Sequence, residues 1–423
     1  MWGMKMAMTN LKPITAWLAV TALLLALAPS GYAKKKKKEE PAPQQKKSTE
    51  IDHRKIDTSK LVWPLPPDIP RIKFMQEVIG EEKVLPLPGQ SAPKKKKQSW
   101  MDRVAGIQTT DSGAVRRDLK HFLGKPYGVS VDSKGRVYVA DTFVAAVFVF
   151  DFEKHETKLI RNGVEGKFGA IAGVAVDAAD RVFVSDTEMR RIGVFSPDWK
   201  IETYFGADEL KRPTGLAIDE ENRLLYVVDT EKQNVAVFDA DNFKFLRTVG
   251  GPPKSLGDED PGTFSKPTNV AVDKEGDVYV TDTLNNRVQI FDADGKFISM
   301  FGKAGDGPGY FARPKGIAID SDGHIWVAES FMNRIQIFDR EGHLLAYFGT
   351  GGTLPGQFSV PTGVYVDKQN RVFVTEQLHG RLQVFRYITD AEAKAMREER
   401  EKKSPAPVTA QTAPQPAAAE NKQ

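Results

Sequence analysis

Six histidines, no cysteine and a regularly spaced set of acids bound the chemistry open to this chain. Zinc lyases and hydrolases gather two or three histidines around one open coordination position. His53, His121, His155, His324, His343 and His379 stand singly, and none falls within the short apolar runs that recur along the chain. A zinc site is therefore not expected. Aspartates do recur, at Asp132, Asp177, Asp219, Asp273, Asp320 and Asp367, each closing such a run. Oxygen ligands converging in this way can hold calcium. Calcium is thus the one cofactor kept open, and a metal-dependent lyase- or lactonase-like enzyme is the alternative function. The competing role is a turn residue whose carboxylate bonds its own backbone, and repetition at six places favours it. Absence of cysteine removes disulfides, iron–sulfur clusters, covalent haem attachment, thiol catalysis and a lipid-modified cysteine. No G-x-S-x-G elbow, P-loop or H-E-x-x-H motif occurs. The glycine-rich stretch 302–309 precedes no helix start, so it does not cradle phosphate. No catalytic residue is nominated, and the chain is read as a non-enzyme.

The elements that carry these residues repeat. The six aspartates are separated by 45, 42, 54, 47 and 47 residues, the length of four short strands and their turns. Each unit opens on an apolar inner strand, as in Gly316-Ile317-Ala318-Ile319, and turns at a sequence such as Asp320-Ser321-Asp322-Gly323. A second strand then ends in an acid: Asp141, Asp186, Asp229, Asp282, Glu329 or Glu376. Nine positions beyond each acid stands a phenylalanine, Phe150, Phe195, Phe238, Phe291, Phe338 and Phe385, on a third strand that alternates apolar and polar residues. A short fourth strand, such as Phe297-Ile298-Ser299-Met300-Phe301, completes the unit. One such sheet cannot cover its own two faces, but radial stacking buries both and closure of a ring removes the ends. The fold class is therefore all-β: a six-bladed β-propeller of four-stranded antiparallel blades, with the phenylalanines wedged between blades.

The recurring pattern resembles the NHL repeat. Blade four carries most of it in Pro267, Val270, Val272, Asp273, Val278-Tyr279-Val280, Asp282-Thr283, Asn285 and Arg287-Val288-Gln289-Ile290-Phe291-Asp292, and the likeness covers residues 120–388. The resemblance implies a six-bladed propeller used mainly as a binding platform. Some members of that family are peptide-amidating lyases, some are sensor domains of bacterial receptor kinases, and some animal members bind RNA. An arginine five positions after the acid is present as Arg191, Arg287, Arg334 and Arg381 but is replaced by Ala146 and Asn234. A guanidinium bonding loop carbonyls or the neighbouring acid is the expected role; a ring of positive charge on one face is the other.

Closure accounts for a segment far upstream. The last repeat runs from Phe385-Arg386-Tyr387-Ile388 into helix-forming sequence at 389–403 and lacks its fourth strand. Residues 71–79 resemble that strand, and the propeller proper (119–388) is expected to be closed by it, hiding an open edge. Within 61–80, Val62-Trp63-Pro64-Leu65-Pro66-Pro67 reads as a polyproline-like strip. Residues 81–118 are expected to hold a loop and one short helix at 99–108, and 404–423 a disordered Pro/Ala/Gln tail. At the start, Lys5 and Lys12 precede an apolar run at 14–28, with small residues before a cut after Ala33. That is a signal peptide (1–33), too short for a comfortable membrane span. It implies a periplasmic or secreted protein, or a membrane-anchored one if the signal stays uncleaved, as the lysines following the cut allow. The basic flexible linker (34–60) could touch the membrane or another acidic surface electrostatically. Nucleic acid is not an expected partner, because basic residues cluster outside the repeats and export separates the chain from RNA.

The best binding clue lies two positions past each acid: Phe143, Glu188, Glu231, Leu284, Phe331 and Leu378. Around the ring, blades four, five, six and one are contiguous and apolar there, with Met332 and Val144 extending the arc, while two and three are acidic. Contiguous apolar patches mark interaction sites, so Phe143, Leu284, Phe331, Met332 and Leu378 are the candidate ligand-binding residues for a protein or peptide partner. The bland counterpart is packing over neighbouring loops. The interval 250–267, with Asp258-Glu259-Asp260, reads either as a solvated loop or as an insertion shaping that face.

Overall fold

The computed structural model describes residues 57–65, 68–80, 122–161, 168–255 and 260–403. The expected signal peptide, the linker before residue 57, the loop and helix within 81–118 and the tail 404–423 lie outside the described residues. At the end of the linker Thr58–Lys60 forms a 3-10 turn in which the Ser59 amide is capped by the Asp57 side chain.

Six antiparallel sheets follow one another along the chain. In blade one the order is Pro126–Val131, Val137–Asp141, Ala146–Asp151 and Glu156–Ile160, each strand paired with the next. Inner strands pack in a ring, and Pro361–Val366 of blade six returns to Pro126–Val131. Burial explains the strand patterns. Second strands such as Val182–Asp186 are buried at every position, whereas the outer strand Phe297–Phe301 alternates. Close approach of the inner strands depends on glycine. A β-carbon on Gly363 would stand 2.1 Å from the Tyr127 carbonyl oxygen, and one on Gly173 would stand 2.2 Å from that of Thr214. Gly128, Gly215 and Gly316 hold the same place; blade four alone has Asn269 there.

The core divides into six clusters, one between each pair of adjacent blades. Each contains one of the repeated phenylalanines. Phe150 joins Phe373 and Val384 between blades six and one, and Phe385 joins Trp326 and Phe348 between five and six. All six are nearly inaccessible. Burial of roughly 150–250 Å² apiece makes them the wedges the repeat requires.

Ile72–Val78 lies against Arg381–Tyr387 as the fourth strand of blade six. It pairs Ile72 with Tyr387, Phe74 with Phe385 and Val78 with Leu382, and shifts register beside Phe74. Blades four and five shift at the corresponding phenylalanine, Phe291 and Phe338. Phe74 meets the Phe385 ring edge-on, with centroids 5.6 Å apart. Val62–Trp63 adds a fifth strand outside it, so this part of the expected polyproline strip is a β-ladder instead. The backbone groups of the outer edge find partners there, and Trp63 seats its ring on Phe348 and Phe385. Among the described residues the one α-helix is Asp390–Lys403.

Candidate functional site

Loops between second and third strands share a face with the connections entering each inner strand. A buried acid fixes both. Asp141 accepts from the amides of Gly124 and Lys125 on the incoming loop, and from those of Phe143 and Val144 on its own. The link to an amide 17 residues upstream recurs from Gly169 to Asp186, Ser265 to Asp282, Ala312 to Glu329 and Ser359 to Glu376. In blade three Arg212 makes the same link to Asp229, and Lys211 adds one across 18 residues. Burial raises the Asp141, Asp282, Glu329 and Glu376 carboxyls, and the bonds they accept oppose that rise.

The recurring arginine locks the same loops. Arg381 donates to Glu376, to Glu77 on the N-terminal strand, and to the carbonyls of Thr353 and Gln357. Arg287 reaches Asp282 and the Thr263 carbonyl, and Arg334 the Gly307 carbonyl. All three are buried, and Arg191 stacks 3.6 Å from the Tyr204 ring centroid. These guanidiniums are structural and offer no exposed ring of charge. Part of the interval 250–267 is held by the same device, since Gln289 also donates to Thr263 and accepts from Gly262; Asp258 and Glu259 lie outside the described residues.

On this fixed frame stand the candidate residues. Phe331 and Leu378 are each 71% exposed, Phe143 58% and Leu284 41%. Met332 and Val144 are half-buried, and Glu188 and Glu231 are exposed. Phe143 leans over its incoming loop, where a β-carbon on Gly124 would meet its ring at 2.7 Å. Phe143, Phe331 and Leu378 still present most of their surface, and Leu284 a smaller part.

At the opposite end of the channel all six recurring aspartates are turn residues. Asp132 accepts from the amides of Lys134 and Arg136, and Asp320 from those of Asp322 and His324. Asp177, Asp219, Asp273 and Asp367 repeat the arrangement. Their second oxygens are taken by side chains: Arg136 and Tyr138 on Asp132, Trp326 on Asp320. The carboxylates offered for calcium by the sequence are engaged in their own turns. His324 lies at this end, bonded through Nδ1 to Asp320 and Tyr387. His155, His343 and His379 are exposed, and His53 and His121 lie outside the described residues. Asp339, Glu341 and His343 approach one another on an exposed turn, an arrangement common without any ion. Between the two ends the channel encloses about 240 Å³, walled by inner-strand residues including Val174, Ile218, Asn269, Ile317 and Tyr365.

Comparison with known proteins agrees with this architecture. A family model described as a six-bladed beta-propeller matches residues 259–418, and one described as an SMP-30/gluconolactonase/LRE-like region matches 198–302. Over 96 residues the chain is 30% identical to NHL repeat-containing protein 2 of Gallus gallus, 22% of this chain and 13% of that one. The chain is an NHL-type six-bladed β-propeller. Over 116 residues this NHL-type propeller is also 34% identical to a probable peptidyl-alpha-hydroxyglycine alpha-amidating lyase of Caenorhabditis elegans. The match covers 27% of the propeller chain and 32% of the lyase, so the chain spans about a third of that relative's length. Among solved structures, a structural genomics protein of unknown function from Bacteroides thetaiotaomicron aligns at 17% identity with a TM-score of 0.50. That alignment covers 62% of this chain and 70% of the other, a likeness of fold alone.

One residue of this NHL-type propeller is not among those the motifs single out. Asn269 lies in the repeat copy that best matches the NHL pattern, yet it replaces the glycine kept by the other five. That departure is the signal the sequence offers.

Proposed function

We propose that this NHL-type propeller is a non-catalytic binding platform in the cell envelope that presents its loop face to a protein or peptide partner. One observation carries the reading. Large apolar side chains stand exposed at the same loop position on four adjacent blades, and glutamates occupy that position on the other two. Because buried acids fix these loops, little ordering is lost on binding, which favours affinity. Each Phe or Leu fully covered by a partner contributes roughly 1.5–3 kcal/mol. Glu188 and Glu231 suit a partner whose apolar segment is flanked by basic residues. Placement outside the cytoplasm is supported by the apolar run at 14–28 behind Lys5 and Lys12, and the lysine-rich stretch after that run suits an acidic envelope surface. Combined Phe143→Ser, Phe331→Ser and Leu378→Ser substitutions should abolish partner capture from envelope extracts, as read by quantitative mass spectrometry, while the unfolding temperature holds. Retained capture would sink the reading.

Similarity to an amidating lyase favours a second reading, a metal-dependent enzyme. Elemental analysis of the purified chain separates the two. Stoichiometric calcium or zinc that resists dialysis would favour the enzyme.

A further inference from the structure

Blades four, five and six share a glutamine that the other three lack. Seven positions after the acid they carry Gln289, Gln336 and Gln383, where blades one to three have Phe148, Gly193 and Ala236. Each glutamine side chain accepts from the amide of a glycine on the incoming connection, Gly262, Gly309 or Gly356. Each also donates to the carbonyl of the next residue, Thr263, Tyr310 or Gln357. The glycines hold φ values of 82°, 84° and 78°, so the connection bends the same way each time and raises no side chain there. In blade six an aromatic ring is seated on this platform. Trp63, on the short strand added outside Ile72–Val78, lies 2.5 Å from where a β-carbon on Gly356 would stand. In blade five the seat is open. Chain neighbours apart, a β-carbon on Gly309 would meet only the Leu344 β-carbon among the described residues, at 3.8 Å.

The strand beside the open seat is unguarded. Leu344–Phe348 is the outermost strand of blade five, contains no charged residue and has nothing paired to its outer edge among the described residues. Its Leu345 and Tyr347 side chains, and Tyr310 on the connection, are each about half exposed. Tyr347 stands opposite Gln336 in the ladder and so flanks the platform, while Phe348, next along the strand, packs on the Trp63 ring. The filled seat and the open one therefore lie on the two faces of one strand. Edge strands invite pairing unless charge or cover blunts them. Blade one exposes Glu156 and Lys158 on its outer strand and blade two Glu202, and Val62–Trp63 covers part of blade six. Blade five turns at Gly342 and His343, where blade six offers Ile72 and Lys73 to that cover, so a guest strand must pair along Leu344–Phe348 itself.

We propose that the outer edge of blade five receives an extended segment of a partner protein, which adds a strand to Leu344–Phe348 and seats a tryptophan on Gly309 between Tyr310 and Tyr347. The occupant follows from the neighbouring groove, which a β-branched residue and a tryptophan, Val62-Trp63, already fill. Backbone bonds to an edge give affinity, and the side-chain seat gives selectivity. A flat ring suits a seat with no side chain beneath it and two tyrosines beside it, since aromatic rings favour edge-on or offset contacts. This surface goes beyond the loop-face platform and does not rest on it, because it belongs to the fourth strand and its incoming connection.

A peptide copying residues 58–65, which contains Val62 and Trp63, is the probe for the full chain. With its tryptophan replaced by p-benzoylphenylalanine, irradiation and mass spectrometry should find crosslinks to Tyr310, Leu345 or Tyr347. Crosslinks confined to Gly356 or Phe385 would mean exchange with the chain's own strand and would overturn the proposal, as would none at all. Affinity, read by fluorescence anisotropy, should fall about tenfold or more when the peptide carries alanine for tryptophan, as expected on losing one buried aromatic. Leu345→Glu and Tyr347→Lys together put charge on the edge, as blade one has, and should weaken binding by a similar factor. Both side chains are exposed, so the unfolding temperature should hold. Unchanged affinity in that variant would overturn the proposal. Adsorption to phosphatidylcholine vesicles that the same variant abolishes would assign the edge to a lipid surface instead, and peptide-free dimers that it dissolves would assign it to a second copy of the chain. The Phe143→Ser, Phe331→Ser, Leu378→Ser variant should bind the peptide as before; loss there would overturn a separate site.

Discussion

At the turn end of the channel Arg136, Arg181, Arg223 and Arg371 each reach an inner-strand aspartate, whereas at the loop end Arg212, Arg313 and Lys315 face no carboxylate among the described residues. The two ends come from the same repeat, so the difference is not one of architecture. At the turn end the acid comes first: an aspartate needed to close a turn is buried, and a buried carboxylate requires a neutralising partner. At the loop end Asp282 and Glu376 already accept from backbone amides and from Arg287 and Arg381, and among the described residues no ion pair joins a loop-end acid to Arg212, Arg313 or Lys315. Paired cations hold this propeller together. The unpaired ones have no ion pair to contribute to folding.

Breaking the paired set should have the largest effect. Arg381→Ala would leave Glu376 and Glu77 buried without their cation, and a loss of about 3–5 kcal/mol is expected by chemical denaturation. A smaller effect, and one that depends on pH, is expected at the turn end. The bond to Asp320 is the main cause that raises the His324 pKa, with burial opposing. A histidine raised on folding stabilises fully below its unfolded value of about 6.5, and that contribution disappears as pH rises through the folded value. His324→Gln should therefore lower the unfolding temperature more at about pH 5.5 than at about pH 8; equal losses would show that His324 is not charged in the fold. On the unpaired side the sign should reverse. Arg313→Gly relieves the strained φ and should leave stability unchanged or raise it by up to about 1 kcal/mol, read by urea titration. Destabilisation there would make Arg313 a structural residue after all. Smallest of all, Phe331→Ser or Leu378→Ser alone should change stability by no more than about 0.5 kcal/mol in urea titration, as expected for exposed side chains.

Features of local origin are readable in the chain. The aspartate turns, the strand alternation and the phenylalanine wedge each depend on residues within one repeat, and six copies make the period plain. The strand Ile72–Val78 can be matched to Phe297–Phe301 although about 300 residues separate it from its partner, because a fourth strand needs the same alternation wherever it lies. The structural role of Arg287, Arg334 and Arg381 follows from the rule that buried polar groups are paired. The strip at Val62–Trp63 is not the polyproline its proline content suggests, because an open edge beside Ile72 and Lys73 draws it into a ladder. Asn269 is visible as a departure but carries no meaning alone.

Sequence by itself determined the number of blades, the order of strands within each and the residues that wedge them, since periodicity and turn chemistry act over a few neighbouring positions. Only the tertiary structure decided which polar groups are satisfied. The Thr375 hydroxyl finds the Tyr127 carbonyl, 248 residues away, because ring closure brings blade six against blade one, and no rule of local spacing reaches that far.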